Sequence, residues 1–204
     1  IGVGGVGMSG IARVAHDQGM QVSGSDIKES RYTKQLREAG ITVFIGQKAE
    51  NIPEGDPVVV ISTAILENNP ELIEARRRGL EIWHRAQMLA HLGVGLDTLA
   101  VAGTHGKTTS TSMMTLMTME AQMDPTVMVG SNLPAIGGTL RIGGKGCFVA
   151  ESCEYCNSFL RFAPTVAVIL NVEEDHLDFF KDINDIIHSF HEFAELTPMN
   201  GLVV

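Results

Sequence analysis

Cysteine is scarce in this sequence: Cys147, Cys153 and Cys156 are the three cysteines among 204 residues. An odd number in a chain of this length does not indicate a disulfide framework, and it fits a reducing cytoplasm. Cys153 and Cys156 form a single C-x-x-C pair. Without a second pair this is half of a zinc site at best, so two ordinary thiols in a loop are the simpler interpretation.

The sequence also has little positive charge and no long apolar run. There are 15 Lys and Arg residues against 24 Asp and Glu residues, which gives a formal net charge of −9. Because a nucleic-acid binder needs a basic face to neutralise phosphates, this balance argues against that class. No apolar run approaches the roughly 20 residues that span a bilayer, so we expect no membrane insertion. The 44% of hydrophobic residues is ordinary for a globular protein.

Both ends of the sequence fall inside predicted strands. Residues 1–4 look like a strand-to-loop junction, and residues 202–204 look like the beginning of another strand. We therefore expect a piece of a longer protein whose first strand is truncated.

Apolar runs rich in β-branched residues alternate with helix-like segments along the chain. Strands are predicted at 21–23, 41–45, 58–62, 98–102, 147–150, 166–170 and 202–204. Helices are predicted at 8–18, 32–39, 70–78, 85–92, 108–121 and 183–196. Most strand candidates are continuous apolar runs, as expected for parallel strands covered on both faces. The alternation predicts an α/β fold with mostly parallel sheets.

Two glycine-rich loops, at 2–7 and 103–106, each begin such a series, which predicts two successive α/β units. We expect the joint at 91–97, where paired glycines interrupt the pattern, and so we predict domains at 1–92 and 93–204.

Local signals also predict where one helix begins and ends. Asn69 before Pro70 is typical of a helix start, because the asparagine side chain can cap a helix whose first position suits proline. Gly79 follows three arginines, which is typical of a helix end. We interpret the arginines as capping residues rather than as a phosphate site.

The loop at 103–109 reads G-T-H-G-K-T-T and lies between a short apolar strand and a helix. Glycines let the backbone curl around phosphate oxygens, and a helix start adds free N–H groups and a positive dipole end. Lys107 can neutralise the β- and γ-phosphates, and the Thr108 hydroxyl can ligate Mg²⁺. Val101 stands where the common pattern has its first glycine, so this is a shortened variant. We predict that the loop binds the triphosphate of ATP.

The first glycine loop, at 2–7, matches G-x-G-x-x-G and is followed by a predicted helix. Asp26 lies 19 residues beyond Gly7, at the end of the next strand, which is the spacing of a dinucleotide fingerprint. NAD, FAD and a nucleotide-sugar diphosphate would all satisfy this pattern. What they share is a pyrophosphate at a helix N-terminus.

Polar residues follow two predicted strands, where ligands bind in open α/β sheets. Glu151 follows one strand, and Asn171 with the acidic run 173–178 follows another. Together with Thr108 these could surround Mg²⁺, which prefers oxygen ligands. His176 is either a ligand or a helix-capping or surface histidine. His188 and His191, in the middle of a predicted helix, are interpreted as surface residues.

With these residues assembled, the chain resembles the Mur ligase family. Four segments carry the resemblance: G-V-G-G-V-G-M-S-G at 2–10, S-G-S-D at 23–26, G-T-H-G-K-T-T at 103–109 and N-V-E-E-D-H-L-D at 171–178. The family's G-T-x-G-K-T form also accounts for the missing glycine at position 101. The resemblance implies a Rossmann-like UDP-sugar-binding domain, then a P-loop-type ATPase domain. A third domain that completes the amino-acid site would follow, so we expect this piece alone to be inactive.

The resemblance also implies roles for individual residues. ATP-binding positions are Gly103, Thr104, His105, Gly106, Lys107, Thr108 and Thr109. Magnesium positions are Thr108, Glu151 and His176, and catalytic positions are Lys107, Glu151 and His176. UDP-sugar positions are Gly4, Gly5, Gly7, Met8, Ser9, Asp26, Ser62 and Arg85. Cys153 and Cys156 stand where acids are frequent in the family, so no role is carried over to Glu154.

The implied activity is a bacterial, cytoplasmic step of peptidoglycan precursor synthesis with ATP and Mg²⁺. ATP phosphorylates the carboxylate of UDP-N-acetylmuramate, and L-alanine displaces phosphate to form an amide. The Gly-Met-Ser-Gly stretch at 7–10 favours this ligase over the related recycling ligase, which joins the same UDP-sugar to a preformed peptide. A nicotinamide- or flavin-dependent oxidoreductase would use the first loop but leaves Lys107 and Thr108 unexplained. A regulatory module that binds UDP-sugar without catalysis is a further alternative.

Overall fold

The computed structural model describes residues 1–144 and 146–204, and it divides the chain into two compact units, Ile1–Leu92 and Gly93–Val204. In each unit parallel strands are connected by helices, which confirms the predicted α/β class. Within the described residues, no helix combines the length and the apolar character needed to cross a membrane.

The described part of the chain forms helices, strands and three short 3₁₀-helices in the following order. The helices are α1 (Val6–Asp17), α2 (Arg31–Glu38), α3 (Pro70–Arg77), α4 (Arg85–Leu92), α5 (Lys107–Glu120) and α6 (Ile183–Glu195). The strands are β1 (Ser23–Asp26), β2 (Thr42–Ile45), β3 (Val59–Ile61), β4 (Ile82–His84), β5 (Asp97–Ala102), β6 (Thr126–Leu133), β7 (Gly138–Arg141), β8 (Cys147–Glu151), β9 (Val166–Ile169) and β10 (Leu202–Val203). The 3₁₀-helices are Ala49–Asn51, Pro134–Ile136 and Tyr155–Arg161.

The first unit contains two separate two-stranded parallel sheets, β1–β2 and β3–β4. The first residues of the chain lie between them. The Ile1 amino group donates to the Val60 carbonyl at 2.8 Å, and the Val3 N–H donates to the Ser25 carbonyl at 3.0 Å. A cavity of about 290 Å³ is lined by residues of both sheets, among them Ser25 and Val59.

The second unit is built on one six-stranded sheet in the order β10-β9-β5-β8-β6-β7. All neighbours are parallel except β6 and β7. Ala100, Val101 and Ala102 of the central strand β5 are fully buried. Because β8 and β9 flank β5 in parallel, the carboxyl ends of these three strands meet at one edge of the sheet. The segments that follow them carry the predicted ATP and metal residues.

The buried positions of helix α5, which packs against β6 and β8, are threonines, and Met114 is partly buried against the core of the sheet. Thr111, Thr115 and Thr118 are buried, and the hydroxyls of the last two donate to carbonyls one turn earlier, Thr115 at 2.8 Å and Thr118 at 2.9 Å. Because these internal hydrogen bonds satisfy the hydroxyls of Thr115 and Thr118, burying those two costs little, whereas the Thr111 hydroxyl is buried without a hydrogen-bond partner. Met113 and Met117 are instead 58% and 60% exposed.

Every predicted strand and helix appears, α4 with the predicted bounds and the others with shifted bounds, and β4, β6 and β7 are additional. β1 covers Ser23–Asp26 rather than 21–23, and all four of its residues pair with β2. Helices α1 and α5 begin two residues and one residue earlier than predicted. The additional strands do not read as apolar runs: β4 has three residues, β6 contains Gly130 followed by polar residues, and β7 begins with glycine and ends with Arg141.

The predicted start and end of α3 are confirmed. Helix α3 begins at Pro70, and Asn69 Oδ1 accepts hydrogen bonds from the N–H groups of Glu71 at 2.9 Å and Leu72 at 3.1 Å. Gly79 follows the helix with φ +67°. Asn69 is itself buried, so its two hydrogen bonds are shielded from water.

The arginines at the end of α3 are engaged on the surface of the first unit. Arg76 and Arg77 pair with Glu67 and Glu74, and Arg78 donates to a loop carbonyl at 2.9 Å. All three arginines thus contact acidic side chains or a backbone carbonyl of their own unit.

We predict that Asn69→Ala lowers the free energy of unfolding by about 1 kcal/mol, because two N–H groups at the start of α3 lose their acceptor. Urea denaturation of the chain measures this change. Asn68→Ala is the matched control, since Asn68 is exposed, and it should change stability by less than about 0.5 kcal/mol. Equal effects of the two substitutions would contradict the capping role.

Candidate nucleotide-binding site

The loop between β5 and α5 has a backbone that requires glycine at two positions. Gly103 has φ +141° and Gly106 has φ +84°, values that other residues rarely adopt. A Cβ atom on Gly103 would also lie 3.0 Å from the Cβ of Leu170, tighter than ordinary van der Waals contact. No side chain caps the N-terminus of α5, so its first N–H groups are available to an anion.

Lys107, the first residue of α5, is folded back over this loop. Its Nζ donates to the Gly103 carbonyl at 2.6 Å and to the Thr104 carbonyl at 3.2 Å. The same Nζ lies 2.8 and 3.0 Å from the two carboxylate oxygens of Glu154. The side chains of Lys107 and Glu154 are 19% and 2% exposed, so this ion pair is largely shielded from water. The loop therefore holds a positive charge beside its free N–H groups.

Glu154 is the site residue to which the sequence assigned no role. It lies beyond the end of β8 and belongs to a group with Asp175 and His176 whose ligand atoms all lie within 4.8 Å of one another. His176 Nε2 lies 3.7 Å from Glu154 Oε1. The signal for Glu154 was its position three residues after Glu151 at a strand end, but the flanking cysteines obscured it.

The cysteines take no part in that group. Among residues 1–144 and 146–204, the group that could hold a metal ion contains neither Cys153 nor Cys156. The predicted surface position of His188 and His191 is confirmed, because their side chains are 72% and 68% exposed.

Glu151 occupies a separate place at the same edge of the sheet. It is the last residue of β8, its Oε1 is buried without a hydrogen-bond partner, and its carboxylate packs directly on the Cα of Gly130. An unpartnered buried carboxylate oxygen fits a cation. Of the predicted metal residues, Thr108 lies in the first turn of α5, and His176 belongs to the group with Glu154 and Asp175.

Asn171, predicted among the groups around Mg²⁺, uses its side chain on the loop instead. Its Oδ1 accepts from the His105 N–H at 2.8 Å, and its Nδ2 donates to the His105 carbonyl at 3.0 Å. The Thr104 N–H donates to the Asn171 carbonyl at 3.2 Å, and the Glu173 N–H donates to Thr104 Oγ1 at 2.9 Å. The segment after β9 therefore runs along the loop after β5.

Tyr155 covers one face of His176. The ring centroids are 4.7 Å apart with an interplanar angle of 44°, and the Tyr155 hydroxyl donates to Asp178 Oδ2 at 2.9 Å. This hydrogen bond and the charge of Asp178 raise the pKa of Tyr155, because both favour the protonated phenol.

In the first unit the structure brings the glycines at the start of α1 against two predicted UDP-sugar residues. The Gly4 N–H donates to Asp26 Oδ2 at 2.8 Å, and a Cβ on Gly4 would lie 2.7 Å from that oxygen. The Arg85 guanidinium packs on Gly7 so closely that a Cβ there would overlap Nη1. Both glycines leave room for a polar side chain.

The other predicted UDP-sugar residues are distributed differently. Gly5 is the exposed N-cap of α1, and Ser62 is partly buried just after β3. Met8 and Ser9 are buried, with Met8 in the wall of the cavity and Ser9 Oγ donating to the Val6 carbonyl at 2.9 Å. The side chains of Met8 and Ser9 thus face the interior.

Two α/β units, each with a glycine loop at the start of a helix, define a two-unit protein of the α/β class. The description "Mur ligase family, catalytic domain" matches residues 1–94, and "Mur ligase middle domain" matches residues 101–204. The chain belongs to the Mur ligase family.

Curated relatives and solved structures agree with this family. The UDP-N-acetylmuramate–L-alanine ligase of Agathobacter rectalis is 50% identical over the whole chain, which spans 45% of that protein, and the Clostridium botulinum ligase of the same name is 47% identical over 44% of its length. The crystal structure of the Thermotoga maritima UDP-N-acetylmuramate–alanine ligase has a TM-score of 0.85 at 30% identity, covering 98% of this chain and 47% of that one. The Neisseria UDP-N-acetylmuramate:L-alanyl-γ-D-glutamyl-meso-diaminopimelate ligase has a TM-score of 0.86 at 31% identity, covering 99% and 68%.

We predict that Asp178→Asn lowers the pKa of Tyr155 toward its ordinary value, because the negative acceptor is removed. The chain has two tyrosines, so the titration is followed by ultraviolet absorbance in a Tyr32→Phe background, where Tyr155 alone reports. Asp182→Asn, at the start of α6, is the control. An unchanged Tyr155 titration in Asp178→Asn would refute the hydrogen bond.

Proposed function

We propose that this chain carries the ATP and UDP-sugar sites of a ligase that joins L-alanine to the carboxylate of UDP-N-acetylmuramate. The observation that carries the proposal is the phosphate loop at 103–109, over which Glu154 holds Lys107. The Agathobacter and Clostridium relatives are named for this activity. Because the chain spans less than half of their length, we place the amino-acid site in the further domain that the resemblance implies.

The proposed chemistry is activation of a carboxylate by ATP. The free N–H groups of α5 hold the β- and γ-phosphates. Lys107 leaves its ion pair with Glu154 and binds phosphate oxygens instead. This positive charge offsets the repulsion between ATP and the muramoyl carboxylate as they approach. Thr108, Glu151 and His176 would hold Mg²⁺, which would supply further neutralisation of the phosphate charge. No nucleophilic side chain is needed, because the amine of L-alanine displaces phosphate from the acyl phosphate.

The first unit supplies the proposed UDP-sugar site. The diphosphate lies at the N-terminus of α1, where the backbone can approach closely at Gly4 and Gly7. Arg85, packed on Gly7, offers a positive charge at that point, and Asp26 is a polar partner for the ribose or base.

A recycling ligase that takes a preformed peptide is the second candidate. The Neisseria structure, named for a tripeptide substrate, is as similar to this chain as the Thermotoga structure. An oxidoreductase is disfavoured, because it leaves the Lys107–Glu154 pair without a purpose and lies outside the family.

Phosphate release by the full-length protein, measured with ATP and UDP-N-acetylmuramate, distinguishes the two ligase activities. Release with L-alanine supports the proposal, release with the tripeptide alone supports recycling, and binding without release supports a regulatory module.

We predict that Lys107→Ala reduces ATP-dependent phosphate release by at least about 100-fold, because the charge that stabilises the transferring phosphoryl group is lost. Affinity for UDP-N-acetylmuramate, measured by calorimetry, should be retained. Lys181→Ala is the control, since Lys181 is exposed outside the site. If Lys107→Ala turned over like the unmodified protein, the proposed role of Lys107 in phosphoryl transfer would be contradicted.

We predict that Arg85→Ala weakens binding of UDP-N-acetylmuramate about 10-fold, which is the loss of one charge-assisted hydrogen bond. Calorimetric titration measures this affinity, and ATP affinity should not change. Arg77→Ala is the matched control, because Arg77 pairs with Glu74 on α3. A normal UDP-sugar affinity in Arg85→Ala would exclude Arg85 from that site.

A further inference from the structure

The segment after β9 holds the phosphate loop through the side chain of Asn171. Its amide makes a two-way contact with the backbone of one residue: Oδ1 accepts from the His105 N–H at 2.8 Å, and Nδ2 donates to the His105 carbonyl at 3.0 Å. His105 is exposed, and it lies between two glycines that have positive φ. A glycine-rich segment of this kind has many accessible conformations, so holding it in one requires compensation.

Three neighbouring contacts support this one from the same segment. Leu170 lies against Gly103, the Thr104 N–H donates to the Asn171 carbonyl at 3.2 Å, and the Glu173 N–H donates to Thr104 Oγ1 at 2.9 Å. Thr104 is buried, so its hydroxyl contact is shielded from water. The loop is thus attached along its first half, up to His105.

The second half of the loop remains available to a ligand. The N–H of His105 is taken by Asn171, whereas the N–H groups at the start of α5 have no side-chain cap. An anion can therefore be held by the start of the helix, while His105 serves as the anchor point of the loop.

We propose that Asn171 is a positioning residue for nucleotide binding, which presets the phosphate loop by fixing the His105 peptide groups. The inference rests on the proposed ATP site. Asparagine suits the position because one side chain must both donate and accept at the same residue. Aspartate has the same shape but lacks the donor and would place its charge against the His105 carbonyl. The same segment continues to Asp175 and His176, so the anchor also links the loop to the group that could hold a metal ion.

The first test measures the loop without nucleotide. In the unmodified chain the His105 amide should exchange slowly with deuterium. In Asn171→Ala it should exchange at least about tenfold faster, because its acceptor is lost. Asn184→Ala, an exposed asparagine of α6, should leave this rate unchanged. Equal exchange rates in all three proteins would overturn the anchor whether or not the chain binds ATP.

The second test measures binding of ATP and of inorganic triphosphate, which engages the phosphate loop alone. Asn171→Ala should weaken both ligands by about tenfold, the loss of two hydrogen bonds. Asn171→Asp, which keeps the side-chain shape if the alanine variant fails to fold, should weaken them at least as much. Both Asn171 variants should bind UDP-N-acetylmuramate with the affinity of the unmodified protein. Asn184→Ala should bind ATP and triphosphate with the affinity of the unmodified protein.

The outcomes separate the two proposals. Loss of ATP affinity with unchanged triphosphate affinity would overturn the positioning role, as would unchanged affinity for both. If the folded, unmodified chain binds neither ligand, the proposed ATP site fails, and the exchange experiment still decides the anchor. If Lys107→Ala loses ATP while both Asn171 variants bind it normally, the inference alone fails.

Discussion

The ion pair between Lys107 and Glu154 is the interaction on which the candidate site depends. A carboxylate that is 2% exposed is costly unless an opposite charge and hydrogen bonds compensate it. Lys107 supplies both, and in doing so it ties the loop after β5 to the segment after β8. His176 brings in the segment after β9, because its Nε2 lies 3.7 Å from the same carboxylate. The buried carboxylate of Glu154 thus brings together the segments that follow three strands, β5, β8 and β9.

The parallel sheet makes this meeting possible, and the two glycine loops use glycine for different physical reasons. With β5 between β8 and β9, residues far apart in sequence leave the sheet at the same edge. In the second unit Gly103 and Gly106 supply positive φ for a tight loop. In the first unit Gly4 and Gly7 supply space, because Asp26 and Arg85 pack where a Cβ would stand.

Local sequence patterns predicted much of the fold, but they did not predict the contacts between the residues of the site. Continuous apolar runs and caps such as Asn69 are local signals, and they predicted the α/β class and the main elements. The strands β6 and β7 were not predicted, because glycine and polar residues interrupt their apolar runs. The role of Glu154 was not predicted, because its partner Lys107 lies 47 residues away in sequence and because cysteines flank Glu154 where the family often has acids. Asn171 suggested a cation ligand, but its partner is a backbone 66 residues away, which no side-chain pattern reveals.

The exposure of two methionines on α5 has a consequence for chemical damage. Oxidation of methionine to the sulfoxide adds a polar oxygen, which disrupts a packed interior. On α5, Met113 and Met117 are exposed, while the buried residues Thr111, Thr115 and Thr118 resist this oxidation. A sulfoxide at Met113 or Met117 would therefore leave the packing behind the loop intact, whereas one at Met114, which packs against the sheet residues Val127 and Val149, would disturb it.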